Sequence, residues 1–323
     1  MNYPKKVTQA VADDYARKRL NRDLLRTQRL KEVYALCPEI EKIDKELSKV
    51  ISEITSAMFG NKEAIKEKIA QIRVNNLALQ ERRRELLLSN GFSADYTEPP
   101  YECSECSDTG YKNGKLCSCY RNALISRVYA ETGFGRLLER QSFESFNLDA
   151  IDDEEAKSRA SDIYSILLNY ANDFSLSKDP MLLVGGTGVG KTHLSSAVAR
   201  VVIEKGYNVV YDSAEGIFRK MGMERLADPY SSEEPESCKY YDCDLLIIDD
   251  LGSEMITSFS VSCLYNIINT RINKGLPIII STNNTGEEIQ KKYDERIASR
   301  IFGEFHILLF KGTDQRRKKL SKK

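Results

Sequence analysis

The stretch that most constrains this chain is Gly185-Gly-Thr-Gly-Val-Gly190-Lys191-Thr192. It spells Gly-x-x-x-x-Gly-Lys-Ser/Thr, a loop whose glycines let backbone N–H groups turn inward around a phosphate chain. Such a loop works between a strand and a helix, because the helix N-terminus adds positive potential at the same point. Both flanks are present: the apolar run Met181–Val184 enters the loop, and a helical stretch from His193 to Ile203 leaves it. Gly185, Gly186, Thr187, Gly188, Val189 and Gly190 are therefore expected to wrap the phosphates of ATP. Lys191 is expected to reach the β- and γ-phosphates, and the Thr192 hydroxyl to ligate magnesium.

The loop needs a carboxylate at the end of a neighbouring strand. Leu245-Leu-Ile-Ile-Asp249-Asp250 supplies one, since four apolar residues form a buried strand that ends in two acids. Asp249 is expected in the magnesium shell, and Asp250 is placed to orient or deprotonate the attacking water. Ile278-Ile-Ile-Ser-Thr-Asn283 sets an amide just past another buried strand, on the ligand side of a parallel sheet. Asn283 is thus a candidate contact for the γ-phosphate or the water. Arg296 and Arg300 share one helical face, as surface salt-bridge partners or as cations aimed at a neighbouring subunit's nucleotide. From about residue 155, β-rich runs at Met181–Val184, Asn208–Tyr211, Leu245–Asp249, Ile278–Thr282 and Phe305–Phe310 alternate with helical stretches. That alternation predicts an α/β fold with a mostly parallel sheet and helices on both faces.

The N-terminal region has a different period. Ile40, Ile43, Leu47, Val50, Ile54 and Met58 form one helical stripe, and Ile65, Ile69 and Ile72 begin a second that runs to Leu86–Leu88. Pro38 and Gly60-Asn61 divide the region into about three helices, with Gly91 as a stop. Helices with such narrow apolar seams pair with each other or with a partner protein. Basic residues outnumber acidic ones in the first thirty positions, and the last eight, Arg316 to Lys323, contain six basic residues. Because the whole chain carries no net charge, any nucleic-acid affinity must come from such local patches. No apolar run is long enough to span a membrane and no secretory leader is visible, so a cytoplasmic protein is expected.

Cys103-x-x-Cys106 and Cys117-x-Cys119 bracket a loop containing Gly110 and Gly114. Four thiolates at this spacing favour tetrahedral zinc, which would fold a segment with almost no core. A redox pair is the alternative. In the helix expected after the second strand, Phe218, Arg219 and Lys220 set an aromatic ring beside two cations. That combination suits stacked bases and phosphates, although a core phenylalanine fits the same pattern.

Taken together, Gly185–Leu194, Leu245-Leu-Ile-Ile-Asp-Asp-Leu-Gly-Ser-Glu254, Ser281-Thr-Asn283 and Glu295-Arg-Ile-Ala-Ser-Arg300 resemble the bacterial replicative-helicase loaders, the DnaC/DnaI-type AAA+ ATPases. Phe143-Glu-Ser-Phe146 and the cysteine segment also resemble members from Gram-positive bacteria and their mobile elements. The resemblance covers roughly 100–320 and implies an AAA+ core that self-associates in a ring or spiral on a hexameric DnaB-type helicase and contacts single-stranded DNA under ATP control. It assigns Asn283 as sensor 1, Arg300 as the arginine finger and Arg316 as the sensor 2 arginine. It divides the chain into helicase-binding helices (1–95), a four-cysteine zinc module (96–130) and an AAA+ domain (131–323). Two departures stand out. The acid pair is Asp249-Asp250 where Asp-Glu is usual, which implies slow turnover, with Glu254 as a fallback base. Thirteen residues after Phe310 are too few for a helical lid. An IstB-like transposition helper and an ATP-binding adaptor without hydrolysis are the competing functions.

Overall fold

Pro38 sits at the first position of a helix, where its missing N–H costs nothing, and this separates two long helices that would otherwise merge. They are α1 (Lys5–Leu36) and α2 (Pro38–Ala57), followed by α3 (Lys62–Ser89). The computed structural model describes residues 3–57, 62–131, 135–226, 235–312 and 314, with the backbone alone for 51–57, 62–68, 131, 136, 138 and 139. Val33, Ile40, Ile43, Leu86 and Leu87 form the core where these helices meet. Arg83 grips Asp44 through Nε (2.6 Å) and Nη2 (3.2 Å), and Tyr34 donates to the same carboxylate at 2.9 Å. The remote halves of the expected stripes, Ile54, Met58 and Ile65, have side chains outside the described residues.

A short hairpin, β1 (Tyr111–Lys112) and β2 (Lys115–Leu116), carries the cysteine segment and leads into α4 (Ser118–Glu131). The chain forms two compact units. One is Ala10–Tyr120; the other joins the first residues, through Gln9, to the stretch from Arg121 onward. The helical region and the cysteine segment thus belong to one unit.

The second unit is built on a five-stranded parallel sheet. After α5 (Gly135–Arg140) and α6 (Glu154–Asn172) come β3 (Met181–Val184), α7 (Lys191–Glu204), β4 (Val209–Ser213), α8 (Ala214–Leu226) and α9 (Cys238–Asp242). Next are β5 (Leu245–Leu251), α10 (Ser258–Lys274), β6 (Ile278–Thr282), α11 (Gly286–Tyr293), α12 (Glu295–Glu304) and β7 (His306–Leu309). The strand order is β4-β5-β6-β3-β7, all parallel. The strand entering the phosphate loop is thus interior, with β6 on one side and the edge strand β7 on the other. Leu182, Leu246, Ile248, Ile278 and Ile280 join residues of α8, α10, α11 and α12 in one core. Leu183, Leu245, Ile247 and Ile279, of opposite parity, are equally buried, so both faces of the sheet are covered. Among the described residues, no helix is long and apolar enough to cross a membrane.

Candidate nucleotide and metal sites

The carboxyl ends of β3, β5 and β6 converge on one point, where parallel sheets of this type bind ligands. Lys191 begins α7 and is almost wholly buried; its Nζ donates to the carbonyls of Gly185 (2.6 Å) and Gly186 (2.7 Å) and to Asn283 Oδ1 (2.6 Å). Asn283 Nδ2 in turn donates to Asp250 Oδ1 at 2.7 Å. Three residues that are far apart in sequence therefore form one line: ammonium, amide, carboxylate.

Beside that line, Thr192 Oγ1 lies 3.1 and 3.3 Å from the two Asp249 oxygens. Neighbouring ligands of an octahedral magnesium, at 2.0–2.1 Å from the ion, sit about 2.9 Å apart. Thr192 and Asp249 therefore fit one magnesium shell. Ser281, not singled out for a role from sequence, ties the acids together: its hydroxyl donates to Asp249 Oδ1 (2.5 Å) and accepts from the Asp250 N–H (2.9 Å). Its position within Ser281-Thr-Asn283 was the only signal.

The Phe143–Phe146 segment is fixed against the start of α7. His193 Nε2 bonds the Ser142 carbonyl (2.9 Å) and lies 3.1 Å from Ser145 Oγ. A Cβ on Gly190 would meet the Phe146 ring at 2.7 Å, so only glycine allows this approach. His193 thus ties this segment to the first turn of α7.

Glu254 is not a spare base. It is buried, and its two oxygens accept from the Gly252 N–H (2.8 Å) and the Tyr293 hydroxyl. Arg300 lies on α12 and is half-buried, with no ion pair among the described residues; Arg296 is exposed. Arg316 lies outside the described residues. Phe218, Arg219 and Lys220 are not brought to one surface. The Phe218 ring belongs to the core and offers no face to a base. Lys220 pairs at 2.5 Å with buried Asp212, which also accepts from Tyr240, leaving Arg219 as the exposed member of the three. The reason is helical phase: ring and cation, two residues apart, point in different directions.

In the other unit, the sulfurs of Cys103, Cys106, Cys117 and Cys119 all lie within 4.8 Å of one another. Cys103–Cys117 is 3.9 Å and Cys106–Cys119 is 3.5 Å, too long for disulfides. A tetrahedral zinc with 2.3 Å bonds demands sulfur–sulfur edges of about 3.8 Å, so the donor set fits. The Asp108 carboxylate accepts from the N–H groups of Glu102 (3.0 Å) and Cys103 (2.8 Å), and Gly110 N–H approaches Cys106 Sγ at 3.4 Å. The Cys119 backbone N–H draws the Cys117 thiol down to about 7, whereas burial pushes Cys119 up to about 12.

A phosphate loop between a strand and a helix, with acids at the end of one neighbouring strand of a parallel sheet and an amide just past another, defines a P-loop nucleotide-binding fold. More particularly, the profile of the family described as IstB-like ATP binding protein matches residues 132–323, and the chain belongs to that family. It is similar to YqaM of Bacillus subtilis (strain 168), 29% identical over 213 residues, covering 62% of this chain and 63% of that protein. The phage-like element PBSX protein XkdC of the same strain is 26% identical over 244 residues, covering 69% and 86%. The replicative helicase loader DnaC of Escherichia coli (strain K12) is 24% identical over 177 residues, covering 55% and 69%. The chain thus spans less than two thirds of YqaM.

Proposed function

We propose that this protein is an ATP-dependent loader of a DnaB-type replicative helicase onto single-stranded DNA, with ATP binding and hydrolysis acting as its switch. The observation that carries the reading is the Lys191–Asn283–Asp250 line beside the Thr192–Asp249 pair. A γ-phosphate held by Lys191 comes within reach of the Asn283 amide, and Asp250 sits at the far end of the same line to orient the attacking water and take its proton. Thr192 and Asp249 would hold a magnesium ion, which would supply charge neutralisation at the β- and γ-phosphates. Gly185–Gly190 supply the backbone donors, and Arg316 is assigned to the nucleotide as the sensor 2 cation. Arg300 completes the site of an adjacent subunit in a ring or spiral, which its lack of an ion pair among the described residues supports.

Similarity to a replicative helicase loader supports the choice of partner. Residues 1–95 are proposed as the helicase grip. Leu20 and Leu24 on α1, and Val74 and Leu77 on α3, are all more than half exposed, the kind of surface that marks protein contact. The cysteine module, 96–130, is proposed to hold one structural zinc. Arg219 remains the DNA candidate of its helix. Such a protein acts in the cytoplasm.

The test uses the full chain. Helicase hexamer, single-stranded DNA beads and ATP are combined with wild-type protein or with Lys191→Ala. ATP-dependent retention of helicase that Lys191→Ala abolishes is the expected result. Recovery of a transposase in place of helicase from the source cells, with no helicase retained, would turn the reading to the IstB-like helper.

A further inference from the structure

The end of β5 carries Asp250 and the loop after β6 carries Asn283, and a dense set of hydrogen bonds joins this corner to the end of α11. Gly252 has φ +99, and a Cβ there would lie 1.6 Å from Asn284 Nδ2, so these loops touch directly. Thr282 Oγ1 donates to the Leu251 carbonyl (2.7 Å) and accepts from the Asn284 N–H (3.0 Å). Lys292 Nζ donates to Asn284 Oδ1 (2.9 Å) and to the Gly252 carbonyl (3.2 Å). Next to it, the Tyr293 hydroxyl donates to Glu254, whose other oxygen holds the Gly252 N–H. Tyr293 and Glu254 are both buried, so this bond has no competition from bulk water. Burial, together with Glu254, raises the Tyr293 pKa, so the hydroxyl stays a donor.

The next residue is strained. Asp294 has φ 130° and ψ 145°, a region that side chains other than glycine rarely enter, and its carboxylate accepts from the Arg296 N–H at 3.0 Å. Such a conformation persists only where the surroundings over-determine it. Here the surroundings are the two anchored residues just before it. Asp294 opens α12, which carries Arg296 and Arg300.

We propose that Glu254 and Tyr293 are positioning residues that make the placement of Arg300 follow the nucleotide bound in the same chain's own phosphate loop. The route is short. A γ-phosphate at Lys191 draws on Asn283 and rearranges its bond to Asp250; the loops at 250–254 and 282–284 adjust together; Tyr293 and Lys292 carry the change to the strained corner and so to α12. An arginine offered to a neighbour only when its own subunit holds ATP would make hydrolysis cooperative around an assembly. This inference rests on the reading of Arg300 as a trans-acting cation.

The test compares wild type with Tyr293→Phe, which removes one hydroxyl and keeps the ring in the core. Amide exchange across 294–304 is measured with and without a non-hydrolysed ATP analogue, alongside the ATP dependence of turnover. Wild type is expected to slow exchange in α12 by about fivefold or more on binding nucleotide, the low end of usual site-to-site coupling. Tyr293→Phe is expected to bind the analogue as tightly, lose that protection and lose cooperativity in ATP. Full nucleotide-dependent protection with unchanged cooperativity in Tyr293→Phe overturns the proposal. If that variant does not fold, Lys292→Ala at the exposed end of the same network replaces it, and the same two outcomes apply. Should Arg300→Ala turn over at the wild-type rate, the trans-arginine reading fails on its own, while the exchange measurement still decides whether the coupling exists.

Discussion

Asp249 and Asp250 are adjacent, and in an unbroken strand they would point to opposite faces of the sheet. A register shift between Ile248 and Leu251, with Asp250 at φ 56°, turns the second acid so that Asp249 meets Thr192 while Asp250 meets Asn283, on the same side as the phosphate loop. Bulges beside active sites re-aim side chains in this way, and aspartate tolerates the left-handed region better than most residues. Asp250→Ala is expected to keep ATP and magnesium but to slow hydrolysis by about 100-fold or more, the range of a lost general base. Asp249→Asn should retain some nucleotide and lose magnesium-dependent turnover; phosphate release with and without magnesium checks both. Arg271 is a second case where one residue decides much. It is fully buried and donates to the carbonyls of Tyr240 (3.1 Å), Cys243 (3.0 Å) and Pro277 (2.6 Å). Arg271→Met would take the guanidinium donor away from those buried carbonyls, of which Pro277 keeps only the Leu246 N–H (3.3 Å), at a cost of about 3 kcal/mol, read as a lowered denaturant midpoint.

Among the elements, α1 shows what its excess of positive charge is for. Arg19, Arg22, Arg26 and Arg29 recur at helical spacing and face the segment that runs from α3 to the cysteines. They bond the Asp108 carbonyl (3.1 Å), the Pro99 carbonyl (3.0 Å), Glu98 (2.8 Å) and the Tyr96 carbonyl (2.9 Å). Arg22 also lies 3.9 Å from the centre of the Tyr101 ring. Tyr15 packs on Tyr120, the residue after Cys119, with ring centroids 4.7 Å apart. The basic stretch of α1 and the cysteine segment are thus two sides of one contact. Metal removal should act locally and then spread to α1. With a zinc chelator, or in Cys117→Ser, amide exchange is expected to rise across 96–120 and along the arginine stripe, while ATP affinity stays unchanged. Metal analysis of the wild-type protein should give one zinc per chain.

At the scale of the whole molecule, the proposed function depends on more than one chain. Arg300→Ala is expected to bind ATP normally and hydrolyse it poorly, because a cation on the transition state supplies orders of magnitude in rate. Lys191→Ala should fail to bind nucleotide. Mixed together, the two should recover part of the activity, since a Lys191→Ala subunit still donates Arg300 to an intact neighbouring pocket. Phosphate release across a range of mixing ratios checks this, and a strictly additive response counts against it.

What the sequence by itself determined is local and periodic. Glycine spacing, a lysine and a hydroxyl prescribe a phosphate loop in any strand–helix context, and apolar runs that end in acids or an amide mark buried parallel strands with ligands at their carboxyl ends. Four cysteines in seventeen residues prescribe a cluster because so short a loop brings them together. The tertiary structure alone decided which distant residues share a bond. Lys191 meets Asn283 because β3 and β6 are neighbours, a pairing no local pattern encodes. Phe218 fell into the core and Glu254 into the grip of Tyr293 because burial depends on what packs opposite, and the opposite element lies tens of residues away along the chain. The partners of the α1 arginines were hidden for the same reason: a charge pattern fixes which side of a helix is polar, but not what backbone will come to lie against it.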